Sequence, residues 1–453
     1  MWPAQRADAL VTAVDHAEAE AARAGRVVAD AASDLDAVAR RLGHADTGWG
    51  GRTGVEARGR TDEARAAAQT LSGHCLFLAD VLRVEGSCLA RALVAGGDAI
   101  EIEDADRRMI ARLREAADAL AGAIDPATAA CLDVSATTGD DPRVLAGLWH
   151  SLGPAERERL ARDHPELGSL AGLPAAQRDA LNRARLARLL DAGAVGSGQR
   201  AALEALAAHL AEEPGRHLLA LHADGRAVVS SGDPDGAGRV VTLVPGTGSS
   251  LESLGRTASR AQAVCDATTE PCVAIAWQGY DAPPDLLAAA APGDRATAHA
   301  ADLRDFAAGL DAVDVQDGHD APHAVVGYSF GSAVLGAAAA DPRGLAADRM
   351  VHVGSPGATA DSLAGQWVDE GGTARPATGR DVAGVASRWD PVPWWSVTGL
   401  LGEVPGSEGF GGVAVDVTEP GSGPGDVRGA HSRYFDPGTV SLTEIGRLVV
   451  GRD

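Results

Sequence analysis

Ser329 stands at the centre of Gly327-Tyr328-Ser329-Phe330-Gly331. The apolar stretch Ala324-Val325-Val326 precedes it, and Ser332-Ala333-Val334-Leu335-Gly336-Ala337 follows. The pattern reads as strand, one-residue corner, helix. A serine at such a corner is forced to a strained positive φ, so the residues two before and two after it must be small. The corner lifts Oγ clear of the sheet and aims the next backbone N–H at a reacting carbonyl. It also sets both groups at a helix N-terminus, which favours developing negative charge. The chemistry on offer is nucleophilic acyl transfer. The alternative is a Gly-rich strand–helix turn without function, and the partners available downstream argue against it.

A serine nucleophile at such a corner needs an acid and then a His, in that chain order. Two histidines follow Ser329. His352 lies inside the run Met350 to Gly354, where a strand would point it at a helix-covered face. His431, in Arg428-Gly429-Ala430-His431-Ser432-Arg433, is expected on a loop between the last strand and the last helix. It is assigned as general base. Asp390 follows the run Val382 to Ser387 and precedes Pro391, so it should sit at a strand's C-terminal end and orient the imidazole. Ordinary Asp-Pro turn chemistry is the alternative there, and Asp381 and Asp361 are weaker rivals. Ser355 is set aside, because Pro356 removes the N–H that an oxyanion hole would need.

Two backbone N–H groups must receive the oxyanion. Phe330 supplies one. The loop Val244-Pro245-Gly246-Thr247-Gly248-Ser249 is expected to supply the other at Thr247, its glycines allowing close approach. Tyr328, Trp277, Tyr280, Asp281 and Trp394 are candidate substrate-binding residues, with Trp389 and Trp395 near them. They could line an acyl or aryl pocket at strand ends, or pack beneath surface loops. Ser396 to Gly412 is Gly-rich and could act as a lid.

Composition narrows the field. The 453 residues allow two or three domains with a substantial core. A net charge of −23 argues against nucleic acid or an anionic membrane as electrostatic partner. All 40 basic residues are Arg. The absence of Lys excludes Schiff-base lysines, Ser-Lys dyads and Walker-type phosphate loops. Asn182 is the only Asn, in a charged helical stretch, so a Cys-His-Asn site is not expected. The cysteines Cys75, Cys88, Cys131, Cys265 and Cys272 lack zinc-site spacing. Cys265 and Cys272 could meet across a helix-to-strand turn, but buried free thiols are the expectation. No metal or organic cofactor is expected. Residues 1–15 lack an apolar signal core and no ~18-residue apolar run exists. A cytoplasmic protein without an integral membrane segment is the default expectation, and export without a cleaved signal the alternative.

The chain before the site is helical. Apolar residues recur at three, four and seven over about 4–43 and again over about 53–94, with the break Gly48-Trp49-Gly50-Gly51 between them. That is a helical hairpin over 1–95. Further helical patterns over 98–124, 142–152, 153–164, 174–190 and 199–212 make 96–215 a helical connector. From His217 the pattern changes. A β-hairpin turning at Asp224-Gly225 precedes apolar runs at 240–244, 273–277, 324–328, 350–354, 382–387 and 413–417. Helical patterns alternate with these runs, notably at 296–310, so 216–453 reads as an α/β domain with helices on both faces of the sheet.

Two resemblances fit this plan. Trp49-Gly50-Gly51 between long helices resembles the Trp-x-Gly signature of small hairpin proteins exported by type VII secretion. That resemblance implies a small helical partner or the secretion machinery as a docking target. The Tyr-x-x-x-Asp/Glu export signal of those proteins is not matched, since Leu76 holds the first position ahead of Asp80. The second resemblance rests on Val244-Pro245-Gly246-Thr247-Gly248, Trp277-Gln278-Gly279-Tyr280-Asp281-Ala282-Pro283, Gly327-Tyr328-Ser329-Phe330-Gly331 and His431-Ser432-Arg433-Tyr434. Upstream, Leu170-Ala171-Gly172-Leu173-Pro174-Ala175 with Arg178-Asp179 and Asn182-Arg183 adds to it. Together they resemble an actinobacterial α/β-hydrolase family of largely uncharacterised members. The resemblance implies an α/β-hydrolase fold and a serine hydrolase using Ser329, Asp390 and His431. An ester or lipid substrate is expected. It leaves open an exported effector with the same chemistry, or a non-catalytic interaction module.

Overall fold

The structure is a computed structural model that describes residues 111–112, 142–191, 196–222, 224–268, 270–289, 295–394 and 401–451. The hairpin expected over 1–95, with Trp49, Cys75 and Cys88, lies outside the described residues, as do Cys131 and Trp395. The chain divides into two compact units, Met1–Asp140 and Asp141–Asp453. That division falls inside the span 96–215 expected as a connector.

The second unit is built on β1 (His217–Leu221), β2 (Ala227–Ser230), β3 (Val240–Val244), β4 (Val273–Gln278), β5 (His323–Tyr328), β6 (Arg349–Val353), β9 (Val382–Ala386) and β10 (Val413–Asp416). Their order across the sheet is β1-β2-β4-β3-β5-β6-β9-β10. β1 and β2 form an antiparallel hairpin and β2 meets β4 antiparallel. Every pair from β4 to β10 is parallel. A separate hairpin joins β7 (Trp367–Glu370) and β8 (Thr373–Pro376). It was not foreseen, because its charged and half-exposed residues carry no alternating apolar pattern.

β3 and β5 are buried along their whole length. A strand covered on both faces must be apolar on both, which is why these runs are continuous rather than alternating. Val240, Val244, Val325 and Met350 enter one core with α6 (Ala300–Asp317) and α7 (Phe330–Ala339). Val241, Leu243, Val326 and Val351 enter the other with α5 (Leu254–Ala267) and α9 (Val440–Val450). Each fully buried Val or Leu contributes about 1.5–3 kcal/mol, so the two layers fix the central strands from both sides. α6 runs later than the expected 296–310 and stops at left-handed Gly318.

Ahead of the sheet come α1 (Pro142–Ser151), α2 (Pro154–Asp163), α3 (Ala175–Asp191) and α4 (Ser197–Glu212). α3 is stitched to β1. Asn182 is fully buried and its amide donates to Gly168 O (2.6 Å) and Leu218 O (3.0 Å). Asp179 accepts from Leu218 N (2.7 Å), and Arg183 donates to Arg216 O (2.6 Å). The single Asn of the chain thus satisfies backbone at the first strand. Leu203, Leu206 and Leu210 of α4 close a third core over Leu218 and Leu221.

Cys265 and Cys272 form a disulfide, with Cα atoms 5.4 Å apart. This corrects the expectation of free thiols. They stand seven positions apart, and the turn from α5 into β4 brings the two Cα atoms within disulfide range. No helix of the described residues is long and apolar enough to cross a membrane.

Candidate active site

The strand order places the crevice. β3 leads out to β4 on one side, and the chain then returns to β5 on the other side of β3. The loops after β3 and β5 therefore part at a topological switch point, where open α/β sheets take their ligands. Ser329 sits there, between β5 and α7, with φ 53° and ψ −126°. Its N–H donates to Val353 O (2.8 Å), which pins the corner to β6. A Cβ on Gly327 would lie 2.7 Å from Ser332 Cα, and one on Gly331 would strike the Val244 and Pro245 carbonyls. Both small residues are thus required by crowding.

Asp390 follows β9 and His431 lies on α8 (Val427–Ser432), a short helix where a loop was expected. The Ser329 hydroxyl is 3.0 Å from His431 Nε2, and His431 Nδ1 is 2.8 Å from Asp390 Oδ2. Asp390 is fully buried and Ser329 nearly so. A carboxylate only accepts, so Nδ1 carries the ring proton and Nε2 is left to accept from Ser329. Val392 N–H donates to Asp390 Oδ1 (2.9 Å) and Tyr434 OH to Oδ2 (2.7 Å). Burial and the Asp390 charge hold the Tyr434 hydroxyl far above its ordinary range, so it stays a donor. Gly354 follows β6 at φ 55°, and a Cβ there would lie 2.8 Å from Asp390 Oδ2, 2.9 Å from Tyr434 Cε2 and 3.1 Å from His431 Cε1. Nothing in the sequence alone marked Gly354 or gave Tyr434 a role.

The other candidates fall into two groups. The loop after β3 passes Ser329: a Cβ on Gly246 would lie 2.7 Å from Ser329 Cβ, and half-buried Thr247 follows. Phe330 opens α7, so its N–H belongs to the first turn, which has no intrahelical acceptor. Tyr328 stacks on the His431 ring at 5.2 Å and its OH donates to His431 O (2.9 Å). Burial pushes the Tyr328 hydroxyl up to about 12. Trp277 and Tyr280 are packed in the core rather than lining an open pocket, Tyr280 stacking near Phe330 and donating to Pro245 O (2.6 Å). They brace the loop beside Ser329. Asp281 is exposed, and Trp394 is 63% exposed. Of the rivals, Asp381 is engaged by Arg375 (2.7 and 3.1 Å) at the opposite end of β9 and Asp361 is exposed. His352 is fully buried with neither ring nitrogen hydrogen-bonded. Among the described residues no group of three or more His, Cys, Asp or Glu is arranged to hold a metal ion.

A mostly parallel eight-stranded sheet, helices on both faces and a serine at the strand–helix corner define the α/β-hydrolase fold. Residues 222–373 match the family described as alpha/beta hydrolase. That segment includes Thr247 and Ser329 and stops short of Asp390 and His431. The chain is similar to the uncharacterized proteins MT2140 and Rv2079 of Mycobacterium tuberculosis, strains CDC 1551 and H37Rv. Each is 28% identical over 364 residues, covering 67% of this chain and 54% of the relative. The chain therefore spans about half the length of the curated relatives it matches. No solved structure matches it significantly. The family match supports a hydrolase.

Proposed function

We propose that this protein is a serine hydrolase of carboxylic esters, with lipid esters the first class to test. The reading rests on one observation: a hydrogen-bonded chain of 3.0 and 2.8 Å from Ser329 through His431 to Asp390, at a corner where Ser329 has φ 53°. His431 Nε2 takes the hydroxyl proton as Oγ attacks the ester carbon. Asp390 stabilises the resulting imidazolium, and the N–H groups of Phe330 and Thr247 receive the oxyanion. The proton passes to the leaving alkoxide, and water then cleaves the acyl-enzyme by the same route. Labelling with a fluorophosphonate probe tests this. The parent is expected to label, and Ser329→Ala and His431→Ala are not. Ester turnover in either variant should fall by roughly 10⁴ or more. A folded parent that takes no label would sink the reading and leave a hydrolase-like binding module.

The Cys265–Cys272 disulfide favours action outside the cytosol, because disulfides persist in oxidising compartments and are rare in reducing ones. The Trp49 segment's resemblance to type VII substrates points the same way, with a small helical partner or the secretion machinery docking there. An effector or toxin turned on envelope lipid is the corresponding role. Fractionation of producing cells is expected to find the chain outside the cytosol with Cys265 and Cys272 oxidised. Cytosolic retention with both thiols free would overturn it.

A further inference from the structure

Tyr434 lies three residues beyond His431 and buries its ring behind the Asp390–His431 pair. Its hydroxyl has two neighbours. Ser387 N–H donates to the phenol oxygen (3.0 Å), and the phenol oxygen is 2.7 Å from Asp390 Oδ2. The amide occupies a lone pair, so the single hydroxyl proton is committed to Asp390. The same Oδ2 accepts from His431 Nδ1 at 2.8 Å. Two donors therefore share one carboxylate oxygen, while Val392 N–H takes the other at 2.9 Å.

We propose that Tyr434 is a positioning residue that shares the charge of Asp390 with His431 and so tempers how strongly His431 draws the proton from Ser329. The inference rests on the serine-hydrolase reading. A carboxylate free of the phenol would face His431 with its charge less dispersed, and would stabilise the imidazolium more. Tyr434 thus sets the basicity of His431 without touching substrate. It also fixes the carboxylate plane, since Ser387 N–H anchors the phenol to the end of β9.

The other groups facing the imidazole are few. Tyr328 of β5 stacks on its ring at 5.2 Å, and Arg260 of α5 lies over that tyrosine ring at 5.0 Å. On the segment of His431 itself, Arg433 is paired with Asp426. None of them touches Asp390 Oδ2, so a change at the Tyr434 hydroxyl reaches His431 through the carboxylate, while it also takes the acceptor from Ser387 N–H.

Two substitutions of opposite sign test this in the full chain. Tyr434→Phe removes the donor. The NMR titration midpoint of the His431 ring, assigned by its loss in His431→Gln, is expected to rise. The acid limb of kcat/KM should rise with it. 3-Fluorotyrosine placed at position 434 keeps the shape, strengthens the donor and should move both readouts downward. A role in packing alone would lower Tm or kcat at every pH and leave the midpoint still. An unmoved midpoint in both proteins, or shifts of the same sign, overturns the proposal. The NMR arm needs no substrate, so it stands apart from the hydrolase reading. That reading fails separately, if the probe does not label Ser329.

Discussion

Ser329 and Thr359 are the two non-glycine residues at positive φ among the described residues. For Ser329 the strain has a plain use. The same corner that costs backbone energy carries Oγ out to within 3.0 Å of His431 Nε2. Residues held in such sparsely populated regions cost about 1–3 kcal/mol each. The two obvious replacements separate that cost from the chemistry. Ser329→Ala keeps a Cβ and so keeps the strain, while Ser329→Gly releases it. Glycine also enlarges the freedom of the unfolded chain, which offsets up to about 1 kcal/mol. Ser329→Gly is therefore expected to be about 1 kcal/mol more stable than Ser329→Ala in urea denaturation, with both inactive. Equal midpoints would mean that the corner is not strained and that the positive φ is set by its neighbours at little cost.

At the scale of elements, the apolar runs placed the parallel strands to within about a residue, since strands buried on both faces have few other ways to be written. The order Ser, acid, His picked out Ser329, Asp390 and His431, and these three do converge at strand ends. What the chain hid was chemistry that depends on approach rather than on type. Gly354 looks like any strand-ending glycine until three side chains are seen to need the space of its missing Cβ. Tyr434 looks like a core aromatic until its hydroxyl is seen on Asp390. Trp277 and Tyr280 left a pocket and core packing equally open from the sequence. Aromatics at a strand's end fit a pocket or a packed core, and Trp277 within β4 and Tyr280 just after it are both buried, Tyr280 supporting the loop at Pro245. The disulfide was legible only as a spacing, because the geometry of the turn after α5 decides whether two thiols seven residues apart can meet.

Across the whole molecule, the site and the stability respond to pH through different groups. His352 lies under α7 in the middle of the sheet, and burial lowers its ring to about 3 from an ordinary value near 6.5. The unfolded chain therefore binds a proton between those values that the folded chain refuses. Stability from this group is complete above about pH 6.5 and falls as pH drops toward 3. Asp235 and Asp314 act with the opposite sign. Burial raises each carboxyl to about 6, helped at Asp235 by the neighbouring charges of Asp233 and Asp317 and at Asp314 by that of Asp235. Their stabilisation is complete below the ordinary carboxylate value and is lost as pH rises through 6. His352→Leu removes the first effect and leaves the second. Between pH 7 and pH 4 the parent's Tm is expected to fall more steeply than that of His352→Leu, which should level off or rise as Asp235 and Asp314 take up protons. Parallel Tm curves for the two proteins over that range would show that His352 finds a proton-accepting partner when charged, and that acid unfolding begins elsewhere.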